Sequence, residues 1–360
     1  MPAGPEADSA IRSFLREEIQ KSGPMSFGRY MQTALYHPDW GYYSQREKTE
    51  DYYTSVDVHP LFAELLALYL KRQWKETFSG KKFQVIELGA GAGALAGKIL
   101  DACKNDSDFY GCIGYTAVET SALRREAARN TAARHPAFRI QPDFDFSNES
   151  VEGVILSNEF FDALPVNRVA VKDGALAEIF LDADLDANLK ERLMDPSSET
   201  REYFDWLGVR PAEGCRAEAH PAARRWAEKI AAALKRGLAL SIDYGLTAPE
   251  LYSELRPEGT LLCHYRHQTN RDFYDRIGAQ DLTAHVNFTA LIKAGEERGL
   301  RLKSLQTQSR FFLDNGLEAM AEAVNRETDP KAKFKASAAL KSLIHPEGMG
   351  GTFKVLVQEK

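Results

Sequence analysis

Three glycines alternate within Lys81–Leu100, directly after an apolar run and directly before a helical pattern. They are Gly89, Gly91 and Gly93, and the acidic residue Glu87 stands two positions before the first of them. A strand-to-helix turn without Cβ atoms lets a ligand approach the backbone closely, near the N-terminus of the helix. The spacing therefore predicts a cofactor-binding turn, with a plain tight turn as the alternative.

Two classes of cofactor fit this glycine spacing. Gly89, Gly91 and Ala94 satisfy the dinucleotide pattern G-x-G-x-x-G/A, whereas the run from Glu87 to Gly93 satisfies the acidic-x-G-x-G-x-G pattern expected for S-adenosylmethionine. A carboxylate beside the turn would repel the pyrophosphate of a dinucleotide but attract the ammonium group of S-adenosylmethionine. The sequence therefore favours S-adenosylmethionine, and a nicotinamide-dependent oxidoreductase is the weaker alternative.

Further acids follow the next two predicted strands. Glu119 ends the strand "YTAVE", where a carboxylate can accept hydrogen bonds from both ribose hydroxyls of a nucleoside. An ordinary charge at a strand end is the alternative interpretation. Asp143 and Phe144 follow the third strand, and we expect one or the other to lie near the adenine ring.

The stretch "VILSNEFFDALPV" places an amide and two acids at the carboxyl end of the fourth predicted strand. These residues are Asn158, Glu159 and Asp162. Open α/β sheets bind ligands at this edge. If the methyl acceptor is a guanidinium, its pKa above about 12 keeps it charged, so carboxylates could orient it and help it lose a proton. The alternative is an acidic helix N-terminus with the two phenylalanines in the core.

A histidine in "LTAHVNF" is a further candidate for catalysis. His285 precedes a predicted helix and could line the pocket of the methyl acceptor. A hydrogen-bonded core histidine is an equally good interpretation. His264 and His267 have no third ligand at suitable spacing, so we expect no metal site.

Short apolar runs alternate with helical patterns from residue 83 onward. The runs are "FQVIEL", "GYTAVE", "FRIQP", "GVILS" and "LALSIDY". This alternation predicts an α/β fold, a parallel sheet with helices on both faces. We divide the chain into a helical cap (1–80), a catalytic core (81–165 and 238–360) and an insertion (166–237) that faces a substrate or partner.

The composition excludes several functional classes. The 360 residues carry a formal charge of −6, which argues against nucleic-acid binding. Four cysteines without a Cys-x-x-Cys pair suggest neither zinc nor disulfides. No apolar run reaches the roughly 18 residues of a membrane span, and no signal-peptide pattern is present. We therefore expect a cytoplasmic protein with a protein or small-molecule partner.

Several motifs together resemble the MidA-like family of class I S-adenosylmethionine-dependent methyltransferases. They include "SFGRYMQTALYHPDWGYY", "NEFFDALPV" and "QDLTAHVNF", and the resemblance runs through nearly the whole length. It implies a doubly wound, Rossmann-like sheet of seven strands whose last strand is antiparallel. It also implies that Asn158, Glu159 and Asp162 face the methyl donor and acceptor. The cofactor residues that it implies are Gly89, Gly91, Gly93 and Glu119.

The segment "EDYYTSVDVHP" departs from the family pattern, which commonly has Gly-Asp-Phe-x-Thr. The chain keeps Thr54, which we expect near the methionine end of the cofactor or the acceptor entrance. The resemblance implies methylation of a protein arginine, with a link to the assembly of a respiratory complex. A non-catalytic assembly factor or chaperone that binds the cofactor is the second hypothesis. The oligomeric state is left open, with a homodimer as one alternative.

Overall fold

The computed structural model describes residues 5–47, 59–147, 150–184 and 188–360, and the side chains from residue 8 onward. Within these residues the chain forms two compact units. The first unit comprises the described parts of Met1–Tyr52, Phe161–Ala227 and Gly245–Ala294. The second comprises the described parts of Tyr53–Phe160, Glu228–Tyr244 and Gly295–Lys360.

The α-helices of the described residues are numbered here in chain order. They are α1 (Pro5–Ser22), α2 (Phe27–Tyr36), α3 (Leu61–Gln73), α4 (Ala94–Cys103), α5 (Ser107–Cys112), α6 (Ala122–Ala132), α7 (Ser198–Leu207), α8 (Pro221–Ala233), α9 (Ala248–Leu251), α10 (Phe288–Glu296), α11 (Gln308–Asp314), α12 (Leu317–Arg326), α13 (Pro330–Ile344) and α14 (Met349–Thr352). A π-helical turn, Trp74–Phe78, extends α3. None of the described helices is long and apolar enough to cross a membrane.

The strands are numbered in the same way. They are β1 (Met25–Ser26), β2 (Phe83–Leu88), β3 (Ile113–Val118), β4 (Phe138–Gln141), β5 (Val151–Asn158), β6 (Asn167–Lys172), β7 (Ala175–Ala183), β8 (Leu189–Met194), β9 (Arg216–Ala219), β10 (Leu234–Leu246), β11 (Leu262–Tyr265), β12 (Gln268–Asn270), β13 (Asp281–Thr283), β14 (Val286–Asn287), β15 (Arg301–Thr307) and β16 (Phe353–Glu359).

The main sheet belongs to the second unit. Its strands pair in the order β15-β16-β10-β5-β2-β3-β4. The pairs from β10 to β4 are parallel, whereas β16 is antiparallel to both β10 and β15. Because the parallel strands end at one edge, the glycine turn and the residues that follow β3, β4, β5 and β10 meet there.

The core of the second unit includes helix α3. Leu65, Leu66 and Leu70 of α3 are fully buried in one cluster with Val85 and Leu156 of the sheet. Burying each leucine contributes roughly 1.5–3 kcal/mol. The cap predicted over residues 1–80 is therefore divided between the two units, since α3 covers the sheet while α1 and α2 lie in the first unit.

The first unit has its own sheet and core. Strands β1, β7, β6 and β9 pair in that order, and β8 pairs with β7. The insertion predicted over 166–237 is thus built mainly of antiparallel strands before α8. Helix α2 begins after Ser26, whose hydroxyl accepts a hydrogen bond from Arg29 N and so caps the helix.

Candidate functional site

The glycine turn connects β2 to α4, and each of its three glycines has a positive φ. These angles are +65° for Gly89, +55° for Gly91 and +74° for Gly93. A Cβ on Gly89 would lie 2.9 Å from the Phe160 ring, and one on Gly93 would lie 2.9 Å from the Ala128 Cβ. A Cβ on Gly91 would meet no described atom within 4 Å. Gly89 and Gly93 are thus required by internal packing, whereas the space at Gly91 is open to a ligand.

Glu119 is buried and holds this turn in place. Its Oε2 accepts a hydrogen bond from Gly91 N at 3.0 Å, and its Oε1 accepts one from Ser121 N at 2.8 Å. A carboxylate has about four lone-pair sites, so two remain for further donors. The open space at Gly91 and these acceptor sites fit a ribose with two hydroxyl donors.

Glu87 lies at the end of β2 and is only 3% exposed. The Tyr115 hydroxyl of β3 donates a hydrogen bond to its Oε2 at 2.9 Å. Burial raises the pKa of Glu87 to about 8, the hydrogen bond from Tyr115 opposes this shift, and the charge of Glu119 adds to it. Without a nearby cation, Glu87 is therefore mostly protonated at neutral pH, and an ammonium group beside it would favour the carboxylate form.

The end of β5 forms a corner with unusual backbone geometry. Glu159 has a φ of +50°, a left-handed conformation that costs a non-glycine residue about 1 kcal/mol or more. Its backbone N donates to Ile242 O at 2.9 Å. The Asn158 amide nitrogen donates to Glu159 Oε1 at 3.2 Å, while the buried Asn158 Oδ1 accepts no hydrogen bond from the described residues. The corner thus presents a carboxylate and an amide oxygen together.

Asp243 of β10 supports this corner. It is 1% exposed, and its Oδ2 accepts a hydrogen bond from Phe160 N at 3.2 Å. Its Oδ1 accepts one from Tyr244 N at 2.9 Å. Asp243 is thus a positioning residue for the backbone next to Glu159.

Asp143 follows β4, as the sequence predicts, and is exposed to solvent. Its Oδ1 accepts a hydrogen bond from Phe144 N at 2.8 Å. The Phe144 ring packs edge-on against Phe146 at a centroid distance of 4.9 Å. This aromatic pair lies beside Asp143 at the end of the strand.

The second segment of the first unit begins at Phe161. The next residue, Asp162, is only 5% exposed. The backbone O of Asp162 accepts a hydrogen bond from Ala284 N at 3.0 Å. No helix begins in 159–166, so the acids do not serve a helix N-terminus as the alternative interpretation suggested. Phe161 is buried in the core, as that interpretation expected.

His285 follows Ala284 in the same unit and is half-buried. Its backbone N donates to the Thr260 hydroxyl at 3.1 Å. Burial, together with the charge of Arg256, lowers the pKa of His285 to about 4. The imidazole is therefore neutral at physiological pH.

Thr54, which we expect near the cofactor or the acceptor entrance, lies outside the described residues. The sequence predicts no metal, and among the residues that the structure describes no group of three or more His, Cys, Asp or Glu is arranged to hold an ion.

Comparison with known proteins decides the class of this site. Residues 65–306 match the model of a family described as "Putative S-adenosyl-L-methionine-dependent methyltransferase". The chain belongs to this family. A crystal structure of a COG1565 superfamily member from Burkholderia thailandensis, bound to S-adenosyl-homocysteine, is 31% identical with a TM-score of 0.88. The match covers 99% of this chain and 94% of that one.

Curated relatives are similar over almost the same length. The mitochondrial protein arginine methyltransferase NDUFAF7 of Danio rerio is 26% identical in an alignment of 382 positions that covers 96% of this chain and 86% of that protein. The human NDUFAF7 is 26% identical in an alignment of 387 positions that covers 96% of this chain and 83% of that protein.

These comparisons confirm the central predictions from the sequence. The predicted resemblance to MidA-like methyltransferases, the mixed α/β fold with a central sheet, and the methyltransferase class are all confirmed. The cofactor is S-adenosylmethionine, as the acid before the glycine turn indicated. The homodimer stays a prediction.

The predicted cytoplasmic location is wrong. The zebrafish, fruit fly and human relatives are all mitochondrial proteins. The prediction rests on cysteine spacing and on a missing signal-peptide pattern. Both argue against secretion, but neither distinguishes the cytoplasm from mitochondria.

Proposed function

We propose that this protein transfers a methyl group from S-adenosylmethionine to an arginine side chain of a protein, in connection with the assembly of a respiratory complex. The observation that best supports binding of S-adenosylmethionine is the open space at Gly91, which is bordered by the buried carboxylate of Glu119. Arginine as the methyl acceptor is supported by the acids Glu159 and Asp162 and by the relatives that are named protein arginine methyltransferases.

The proposed fold is the doubly wound class I type, with a seven-stranded sheet and an antiparallel last strand. The pairing of β16 with β10 and β15 supports it. Four groups would hold the cofactor: Glu119 at the ribose, the backbone at Gly91, Asp143 near the adenine, and Glu87 at the ammonium end. When bound, S-adenosylmethionine supplies an electrophilic methyl group on a positively charged sulfur.

Glu159 and Asp162 are the proposed catalytic acids. A guanidinium is planar and always charged, and carboxylates bind it through charge-assisted hydrogen bonds that fix its orientation. Holding the nucleophilic nitrogen in one orientation lowers the entropic cost of the reaction. A carboxylate can then accept the proton that the methylated nitrogen loses. The low pKa of His285 suits a neutral hydrogen-bonding role in the acceptor pocket better than that of a strong base.

Mass spectrometry of a proteome from a deletion strain tests this proposal. We expect one methylarginine mark to disappear, to return with the wild-type chain, and to stay absent with Glu159→Gln, which keeps the size of the side chain. If no methylarginine depends on the gene, the arginine assignment is refuted. If both the wild type and Glu159→Gln rescue assembly equally while neither restores a methylarginine mark, the protein acts as a non-catalytic assembly factor.

A further inference from the structure

Helix α13 has an inner face in the core of the second unit and an outer face of lysines around one phenylalanine. On the inner face, Ala339, Leu340 and Leu343 are buried in the same cluster as Leu66 of α3. Residues three and four positions apart share one face of an α-helix. The residues of the outer face follow this spacing and are all exposed: Lys331, Phe334, Lys335, Ala338 and Lys341. They are called the lysine face below.

Phe334 lies within the lysine face and is 75% exposed. Single exposed apolar side chains are common on protein surfaces. Phe334 differs because it is the only exposed phenylalanine among the described residues, and because cations lie on both sides of it along the helix. An aromatic ring among lysines is typical of a helix that lies on a lipid surface.

The charge of the lysine face is not balanced by nearby acids on the same helix. None of Lys331, Lys335 and Lys341 forms an ion pair with another described residue. The fourth lysine of the helix, Lys333, is half-buried, and its Nζ donates to Asn325 O of α12 at 2.6 Å. No acid occurs between residues 330 and 344. A basic face therefore stands out on a chain whose formal net charge is −6.

The acids that directly precede α13 are engaged in local contacts. The Asp329 carboxylate caps α13 by accepting hydrogen bonds from two backbone N atoms of the first turn. The Glu327 carboxylate accepts hydrogen bonds from the backbone N atoms of the two residues that follow it. Glu322 of α12 pairs with Arg326. These acids lie before the N-terminal end of α13, whereas the lysine face extends about 15 Å along the helix.

This combination of groups matches a negatively charged lipid surface. Each lysine near such a surface strengthens binding about fivefold, because anionic headgroups attract it. A phenylalanine among the lysines can enter the boundary between the headgroups and the acyl chains. Beside these groups the outer surface of α13 holds only the small side chains of Ser337 and Ala338. The lysine face thus recognises charge and admits one ring, which suits a fluid anionic surface better than a shaped protein partner.

We propose that the lysine face attaches the protein reversibly to membranes that contain anionic lipids. Helix α13 lies parallel to the membrane surface, with the ring of Phe334 inserted among the lipids and the three lysines at the headgroups. The attachment is peripheral and weak, since it uses one ring and a small number of charges. Because the chain as a whole is acidic, this face determines which side of the second unit approaches the lipids. The inference does not depend on methyl transfer.

Co-sedimentation of the full chain with lipid vesicles tests the inference. One set of vesicles contains phosphatidylcholine alone, and the other contains phosphatidylcholine with about a third of phosphatidylglycerol. We expect binding to the anionic vesicles only, and at least fivefold weaker binding at about 150 mM salt than at about 20 mM. Equal binding to both kinds of vesicle, or no binding to the anionic vesicles at low salt, would overturn the inference.

Variants of the lysine face separate the role of charge from that of the ring. The combined change Lys331→Gln, Lys335→Gln and Lys341→Gln should weaken vesicle binding about a hundredfold. Phe334→Ser should weaken it about tenfold, whereas Phe334→Trp should retain it because tryptophan favours the lipid interface. If Phe334→Ser binds as tightly as the wild type, the ring does not enter the membrane and the proposed site is refuted.

Two matched controls use exposed residues outside the lysine face. The combined change Lys21→Gln, Lys82→Gln and Lys172→Gln alters the net charge equally, and Leu255→Ser removes a leucine of the first unit that is 87% exposed. Both should leave vesicle binding nearly unchanged. If the lysine control weakens binding as much as the lysine-face variant does, net charge governs the binding and the site is refuted.

Poly-glutamate provides the test for an acidic protein as the partner. Binding of poly-glutamate that requires the three lysines of the lysine face, without binding to anionic vesicles, would assign this face to an acidic protein and overturn the inference. Melting temperature and affinity for S-adenosylhomocysteine verify in each variant that the fold is preserved. Vesicle binding without any methylarginine formed would support this inference and refute the proposed function, so the two can fail separately.

Discussion

Replacing Glu87 by glutamine removes the buried group that we expect to couple cofactor binding to pH. The pKa of Glu87 is raised to about 8, mainly by burial. Only about a tenth of the side chain is then ionised at pH 7, and about a hundredth at pH 6. If the ammonium of the ligand pairs with the carboxylate form alone, the dissociation constant of S-adenosylhomocysteine decreases about ninefold from pH 6 to pH 7.

Isothermal titration calorimetry of the full chain at pH 6, 6.5 and 7 measures this dependence. Glu87→Gln should bind more weakly than the wild type at pH 7 and should lose the pH dependence. A matched control is Glu126→Gln, which removes an exposed acid of α6 that pairs with Arg129. A wild-type affinity that stays constant across this range, or a Glu87→Gln variant with the wild-type slope, would refute the role of Glu87.

The same raised pKa affects folding. The native state keeps the proton of Glu87 up to a pKa of about 8, whereas the unfolded chain loses it near the ordinary value of 4.5. The stabilising contribution is therefore complete below pH 4.5, and it is lost as pH rises from there to about 8. The loss amounts to up to about 5 kcal/mol. In urea unfolding of the ligand-free protein, Glu87→Gln should be more stable than the wild type at pH 8, and an equal or lower stability would contradict this.

Three further changes give distinct expected outcomes. Gly91→Val places a branched side chain at a φ of +55° and in the open space of the turn, so calorimetry should show at least a tenfold loss of S-adenosylhomocysteine affinity. Asp243→Ala leaves Phe160 N without its acceptor, and we expect a lower kcat at an unchanged KM for the cofactor, with a loss of about 1–3 kcal/mol in urea unfolding. Ser121→Ala removes the N-cap of α6 and should cost about 1 kcal/mol in the same unfolding measurement.

Local patterns in the sequence were sufficient for the cofactor side of the site. The apolar run of β2 and the glycines behind it predict the turn, because strand, turn and helix follow one another within a few residues. The choice of cofactor followed from the charge of Glu87 beside that turn. The same residues could not reveal Tyr115, because the contact of its hydroxyl with Glu87 depends on the register between β2 and β3.

Contacts between distant segments account for what the sequence could not predict. Asp243 supports the corner at Glu159 only because β10 pairs with β5, and nothing near Asp243 in the sequence indicates that partner. Tyr43 and Asp281 are 238 positions apart, so no local spacing relates them. The division of the predicted cap has the same cause, since a helical pattern does not show which sheet each helix covers.

A crystal structure of the full chain with S-adenosylhomocysteine tests whether Glu119 and Gly91 form the cofactor site. We expect the ribose hydroxyls to lie within hydrogen-bonding distance of Glu119 and the ligand to pass over Gly91. Ligand density in another crevice, with Glu119 bonded to Gly91 and Ser121 alone, would contradict it.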